Sequence, residues 1–108
     1  MSEGTKRPEE IIQLWKNAEK GDIASLMILS VAYNNGDGVE KNPDMSYHLI
    51  EKAANSGNRE AYWRCGYHKY YGIGCFPDQK EGREYIQKSI DMGDAYAKEL
   101  LDRIDGKV

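Results

Sequence analysis

The sequence predicts an all-α fold, an α/α solenoid of about six antiparallel helices built on 36-residue repeats. Three observations lead there. Gly21, Gly57 and Gly93 stand 36 residues apart, and Gly36/Gly72, Gly38/Gly74 and Lys16/Lys52/Lys88 keep the same interval. The segments between these glycines carry apolar residues at helical spacing, and none alternates with period two as a half-buried strand would. The 108 residues amount to three such periods, about the number that stacked repeats need to bury a continuous core.

Taken in chain order, helices are expected at residues 9–20, 22–35, 44–56, 58–71, 79–92 and 94–104. Each of Gly21, Gly57 and Gly93 follows an apolar-periodic stretch, where a left-handed residue closes a helix. Asp22, Asn58 and Asp94 come next, residue types whose side chains cap a following helix. The other boundary in each repeat is a Gly-x-Gly loop, Gly36-Asp37-Gly38 and Gly72-Ile73-Gly74. Asn42-Pro43-Asp44 and Pro77-Asp78 follow it, and both read as a loop ending in an N-cap. The chain is thus one domain, residues 1–108: a half repeat at 8–20, repeats at 21–56 and 57–92, and a terminal half repeat at 93–104. Ile28, Leu29, Ala32 and Tyr33 share a face, and Leu14, Ile50 and Ile86 superpose, so both sets are expected in the core.

Composition narrows the function classes. The chain is 40% apolar and 31% charged with a formal charge of −3, which suits a compact globular domain. Nucleic acid is a poor partner for 15 Lys+Arg against 18 Asp+Glu, because that surface needs a basic excess. The longest purely apolar run, Leu26-Met27-Ile28-Leu29, falls far short of the ~18 residues of a membrane span. Met1 to Glu10 lacks the apolar stretch and cleavage site of a secretory leader. Two cysteines, Cys65 and Cys75, are too few for a disulfide framework. The expectation is a cytoplasmic monomer with both thiols free.

The residues at the repeated positions resemble a known family. Gly57-Asn58-Arg59-Glu60-Ala61, then Gly72-x-Gly74, Asp78, Lys88 and Gly93, with Gly36-Asp37-Gly38-Val39 and Lys52-Ala53-Ala54-x-x-Gly57, look like the Sel-one-like repeat, a relative of the tetratricopeptide solenoids. The resemblance covers about residues 5–104. It implies a right-handed superhelix of paired helices that acts as an adaptor for other proteins, often in bacterial signalling, secretion or host contact. Four positions depart from the pattern: Cys65 where Leu29 stands, Lys69 where Tyr33 stands, Gly82 in place of a small alanine, and Ser89-Ile90 in place of Ala53-Ala54. Repeat two is therefore expected to pack less regularly.

No constellation carries catalysis. The Gly-x-Gly loops lack the preceding strand, fuller glycine pattern or following Lys-Ser/Thr of a phosphate cradle, so they read as repeat turns. His48 and His68 lie on different helices, and neither has a second His, Cys or Asp at i+3 or i+4. His68 falls on the packing face as a hydrogen-bonded structural residue. Acidic side chains such as Glu81 and Glu84 are scattered over solvent faces. No enzyme, metal or cofactor is expected.

One feature exceeds a plain solenoid: eight tyrosines against a single phenylalanine, with Trp63, Tyr67, Tyr70 and Tyr71 crowded on one helix. Glu60, Trp63, Tyr67 and Tyr70 fall at i, i+3, i+7 and i+10, which is one helix face. Ala61, Cys65, His68 and Lys69 take the packing face, in register with Ser25, Leu29, Ala32 and Tyr33. The first set is then expected on the concave side with Met27, Val31 and Asn34 before it and Tyr96, Glu99 and Arg103 after it. Two readings stand at this level. In one, Trp63 and Tyr67 form a binding groove, since Tyr and Trp are enriched at binding hot spots; in the other, they are core. The functional expectation is a non-catalytic module that binds another protein through this aromatic concave face, with an immunity or inhibitor protein as its sharper form. The alternatives are a structural or adaptor fragment of a longer repeat scaffold, against which the polar end at Arg103, Asp105, Gly106 and Lys107 counts because it reads as a terminal cap, or a small-ligand binder.

Overall fold

The computed structural model describes residues 5–107; the first four residues, on which the reading of a leaderless N-terminus partly rests, lie outside it. Among the described residues the chain forms six α-helices and no strand: α1 (Pro8–Glu19), α2 (Ile23–Asn35), α3 (Pro43–Asn55), α4 (Arg59–Tyr71), α5 (Gln79–Asp91) and α6 (Ala95–Ile104). Each packs on its neighbours in sequence, giving a body of 41 × 28 × 25 Å. A lone second helix, two complete pairs and a lone first helix follow one another, as the glycine spacing implies.

The repeat is written into the caps. Asp22, Asn58 and Asp94 accept from the backbone N–H of Ser25, Ala61 and Ala97, and Asn42 and Asp78 do the same for Met45 and Glu81. Each satisfies a donor that the first turn leaves unpaired. Pro43 occupies the first turn of α3 rather than the loop before it, where a missing N–H costs nothing. Gly36 and Gly72 close α2 and α4 at a φ of 70°. Gly74 is fixed twice over: its φ is +73°, and a Cβ there would lie 2.1 Å from the Pro43 carbonyl oxygen. The loop after each first helix therefore rests directly on the backbone that begins the previous second helix. Gly38 repeats the arrangement on Lys6, where a Cβ would come within 2.5 Å of the carbonyl oxygen. Asp37 beside it accepts from both the backbone N–H and the ammonium of Lys6.

Leu29 and Cys65 are fully buried at equivalent positions, as are Ile50 and Ile86. Leu14, at the open end, is half-buried. Ile28 is a correction to the sequence reading: it is exposed. Its turn on the helix, about 100° short of Leu29, carries it off the packing face.

Repeat two departs from repeat one where its two helices meet. At the closest approach of α2 and α3, Ser30 and Ser46 are both buried. The positions 36 residues on are Gly66 and Gly82, where a Cβ on Gly66 would meet the Gly82 carbonyl oxygen at 2.7 Å and one on Gly82 would meet that of Gly66 at 2.8 Å. Losing two side chains lets α4 and α5 touch backbone to backbone, so the second pair replaces the serine contact of the first by a closer glycine one.

Lys69 replaces Tyr33 by an equally specific arrangement. Tyr33 accepts a hydrogen bond from the Trp15 indole N–H at 3.3 Å. The buried Lys69 ammonium instead reaches Glu81 at 2.6 Å and Glu51 at 3.7 Å and donates to the Tyr47 hydroxyl at 2.8 Å. Burial pulls its pKa down, but the bonds to Glu81 and Tyr47 outweigh this and leave it raised. In the third repeat the same position is Asp105, held by Arg83 through both Nη nitrogens. Both cysteines are free, with Cys65 buried and its thiol pushed up to about 12 by that burial.

Candidate partner-binding face

The first helices of the repeats, α2, α4 and α6, present one side to a concave surface, and the 36-residue register decides which side chains meet there. Position by position, Met27, Trp63 and Glu99 are equivalent, as are Val31, Tyr67 and Arg103, and Ala24, Glu60 and Tyr96. Two adjoining depressions result. The first, of about 300 Å³, is lined by Val31, Asn34, Trp63, Tyr67 and Tyr96 from the expected set, with Asn35, Arg64, His68 and Ile73. The second, of about 540 Å³, takes in Met27, Val31 and Glu60 together with Ile28 and Arg64.

The remaining expected residues lie outside both depressions. Tyr71, 52% exposed, meets Tyr67 at a tilt and Tyr70 edge-on, with ring centroids 4.8 and 4.9 Å apart, so these tyrosines extend the aromatic surface beyond the first depression. Glu99 pairs with Arg103 at 2.8 Å along α6, and neither side chain reaches the hollow.

Trp63 falls between the two sequence readings. It is half-buried, packing against the cluster of Ile86, Ala97 and Leu100 while its ring lies 4.7 Å from that of Tyr96. Tyr67, by contrast, is 39% exposed. Below them His68 is buried, its Nδ1 3.0 Å from the Ile73 carbonyl oxygen. Burial lowers its pKa, with Arg64 adding to the effect against the pull of the Ile73 bond. Because a carbonyl oxygen can only accept, Nδ1 carries the proton of this bond and donates it.

Arg64 is the lining residue that sequence reasoning missed. Its Nε donates to Glu60 at 2.7 Å, and its guanidinium carbon lies 4.6 Å from the centre of the Trp63 ring. The signal was present: 36 residues to either side stand Ile28 and Leu100, so a charge had replaced an aliphatic residue.

Among the described residues no three His, Cys, Asp or Glu side chains come together as a metal site, and no helix is long and apolar enough to cross a membrane. The two depressions offer aromatic rings, carboxamides, the Arg64 guanidinium, the Lys6 ammonium and the Glu60 carboxylate, which suit recognition.

Residues 23–58 and 59–94 each match the Sel1 repeat model. The chain belongs to the Sel1 repeat family. Solved Sel1-type structures agree with the fold. A protective antigen of uropathogenic Escherichia coli strains displaying the SLR fold is 30% identical with a TM-score of 0.81, over 87% of this chain and 20% of that one. A Sel1 repeat protein from Oxalobacter formigenes is 26% identical at a TM-score of 0.80, over 87% and 27%. Helicobacter pylori cysteine rich protein B shares the fold at 22% identity and a TM-score of 0.77, over 83% and 68%. This chain thus spans about a fifth and about a quarter of the first two. No curated protein matches it. Sel1 repeat proteins are in general protein-interaction modules and non-catalytic scaffolds.

Proposed function

We propose that this Sel1 repeat chain binds a partner protein through its concave face, with Trp63, Tyr67 and Tyr96 as the anchoring surface. The carrying observation is the gathering of three large aromatics from α4 and α6 around a hollow whose opposite wall is Val31 and Asn34 of α2. Core filling alone does not call for tyrosines left 39% and 42% exposed at positions 67 and 96. Rigid aromatic side chains with a polar tip give much contact area for little lost entropy, which is why they dominate binding hot spots.

Affinity capture from the native host, with the wild-type chain and a Tyr67→Ala/Tyr96→Ala chain as parallel baits, tests this. A partner held by the first and lost by the second, with both chains melting at similar temperatures, supports the face; a partner held equally by both places the site elsewhere. The sharper form, an immunity or inhibitor protein acting as a cytoplasmic monomer, further requires that the partner be an effector or enzyme whose activity falls when the chain is added. The alternative of a scaffold segment draws support from the small share of its relatives that the chain spans; in that case the captured contact runs through the ends of the helix stack and ignores both alanines.

A further inference from the structure

Arg64 stands where the repeat calls for an aliphatic side chain, and its surroundings leave it poised toward the hollow. Ile28 and Leu100 fill the equivalent positions, so the fold does not ask for a cation there. Glu60, one turn earlier, holds the guanidinium by Nε alone, and among the described residues that is its one polar contact. The guanidinium carbon lies over the Trp63 ring, and among the described residues the Nη donors are uncommitted. No carboxylate lines the first depression, whose only lining cation is Arg64; Glu60 and Lys6 line the second, and the Lys6 ammonium is already paired with Asp37. Arg64 and Val31 belong to both depressions, so a ligand that fills the two must pass over them.

We propose that Arg64 reads a carboxylate: the partner contributes an extended segment that crosses from one depression to the other, with an aspartate or glutamate side chain on Arg64 and an apolar side chain beside it. This rests on the concave-face reading above and deepens it. A planar guanidinium with both Nη nitrogens free matches a carboxylate in bidentate fashion, and the contact with the Trp63 ring removes much of the freedom that an unheld arginine would lose on binding. Continuity of the hollow on both sides of Arg64 favours an acidic residue within a chain over a chain terminus, which would fill one side only. Val31, Ile73, Tyr67 and Tyr96 supply the apolar surface next to it.

The test is a selection of random peptides, fused at their C-termini so that no free carboxylate is offered, on the wild-type chain and on Arg64→Leu, Arg64→Gln and Tyr67→Ala. Leucine is what the equivalent position of α6 carries, and glutamine is a second variant should leucine perturb the fold; a thermal melt accompanies each. The expected wild-type pool is enriched in Asp or Glu at one position beside an apolar residue. A synthetic peptide from that pool loses about tenfold or more in affinity when its acid is changed to the amide. The same loss appears on Arg64→Leu, and the two changes together add little. An acidic preference that survives both Arg64 variants, or one seen only when peptides carry a free C-terminus, overturns the assignment. Peptides that need Tyr67 but show no acidic position sink the role of Arg64 and leave the face standing. Peptides indifferent to both residues, or a selection that enriches nothing, sink the face as well.

Discussion

Ser30 and Ser46 each donate their hydroxyl to the other's backbone carbonyl, both at 2.7 Å, across the closest approach of α2 and α3. Gly66 and Gly82 occupy that contact in the next repeat. Both solutions obey one constraint, that nothing larger than a hydroxymethyl fits and any polar group brought in must be paired.

Gly82→Ala should therefore destabilise the chain, although alanine normally improves a helix by ~1 kcal/mol over glycine. The new Cβ would lie 2.7 Å from the Tyr70 amide nitrogen and 2.8 Å from the Gly66 carbonyl oxygen, both backbone atoms that move only if the helices part. Overpacking of this kind costs about 1–3 kcal/mol, and urea denaturation would show it as a lower midpoint. A midpoint that rises would mean that α4 and α5 do not touch here.

Removing the buried cation should cost stability too. In Lys69→Met the Tyr47 hydroxyl loses a donor, and Glu51 and Glu81 are left facing each other without the charge between them. Because both carboxylates reach solvent, the expected loss is about 1–3 kcal/mol, below that of a fully enclosed pair. Adding Glu51→Gln and Glu81→Gln should recover part of it, a coupling that a double-mutant cycle would read as non-additivity. Strict additivity would reduce Lys69 to a packing side chain.

How far the sequence was legible follows from which interactions are local. Helix starts were readable because Asp22, Asn58, Asp94, Asn42 and Asp78 act within three residues of themselves. The 36-residue register carried the packing face as far as Ala61, Cys65 and Lys69. What could not be read was any contact whose energy depends on the distance between two helices. Gly82 looked like a defect because its partner, Gly66, lies 16 residues away. Ile28 looked like core because its place on the helix is one step from that of Leu29. Arg64 was overlooked because arginine on a helix surface is ordinary; only beside Trp63 and over a hollow does it stand apart.

His68 should make stability fall below neutral pH. Its folded pKa lies below the unfolded value near 6.5, so the unfolded chain binds the extra proton first. Its contribution is full above that unfolded value and is lost as pH falls from there through the folded pKa. Asp37 and Asp105 are held below the carboxylate range by hydrogen bonds from Lys6 and Arg83, so their contributions fade in more acid solution. The melting temperature should thus decline between pH 7 and pH 5, and His68→Asn should flatten that stretch while leaving the decline below pH 4. An unchanged slope in the variant would show that His68 is not the titrating group.

Trp63 and Tyr67 should separate folding from binding, because the structure assigns them different shares of each. Trp63 leans on Ile86, Ala97 and Leu100, and full burial of a tryptophan would make truncation cost ~3–5 kcal/mol. Since the ring is only half-buried, Trp63→Ala should lose about 2 kcal/mol of stability and, if the concave face binds, affinity as well. Tyr67 faces outward, and its truncation should leave the melt within about 1 kcal/mol of wild type while weakening partner binding by ~2 kcal/mol, roughly thirtyfold. The ratio of the two effects is the diagnostic quantity. A Tyr67→Ala chain that unfolds returns the ring to the core. If Tyr67→Ala folds and binds normally while Trp63→Ala only loses stability, the aromatic surface is packing along its whole length and recognition belongs to another part of the solenoid.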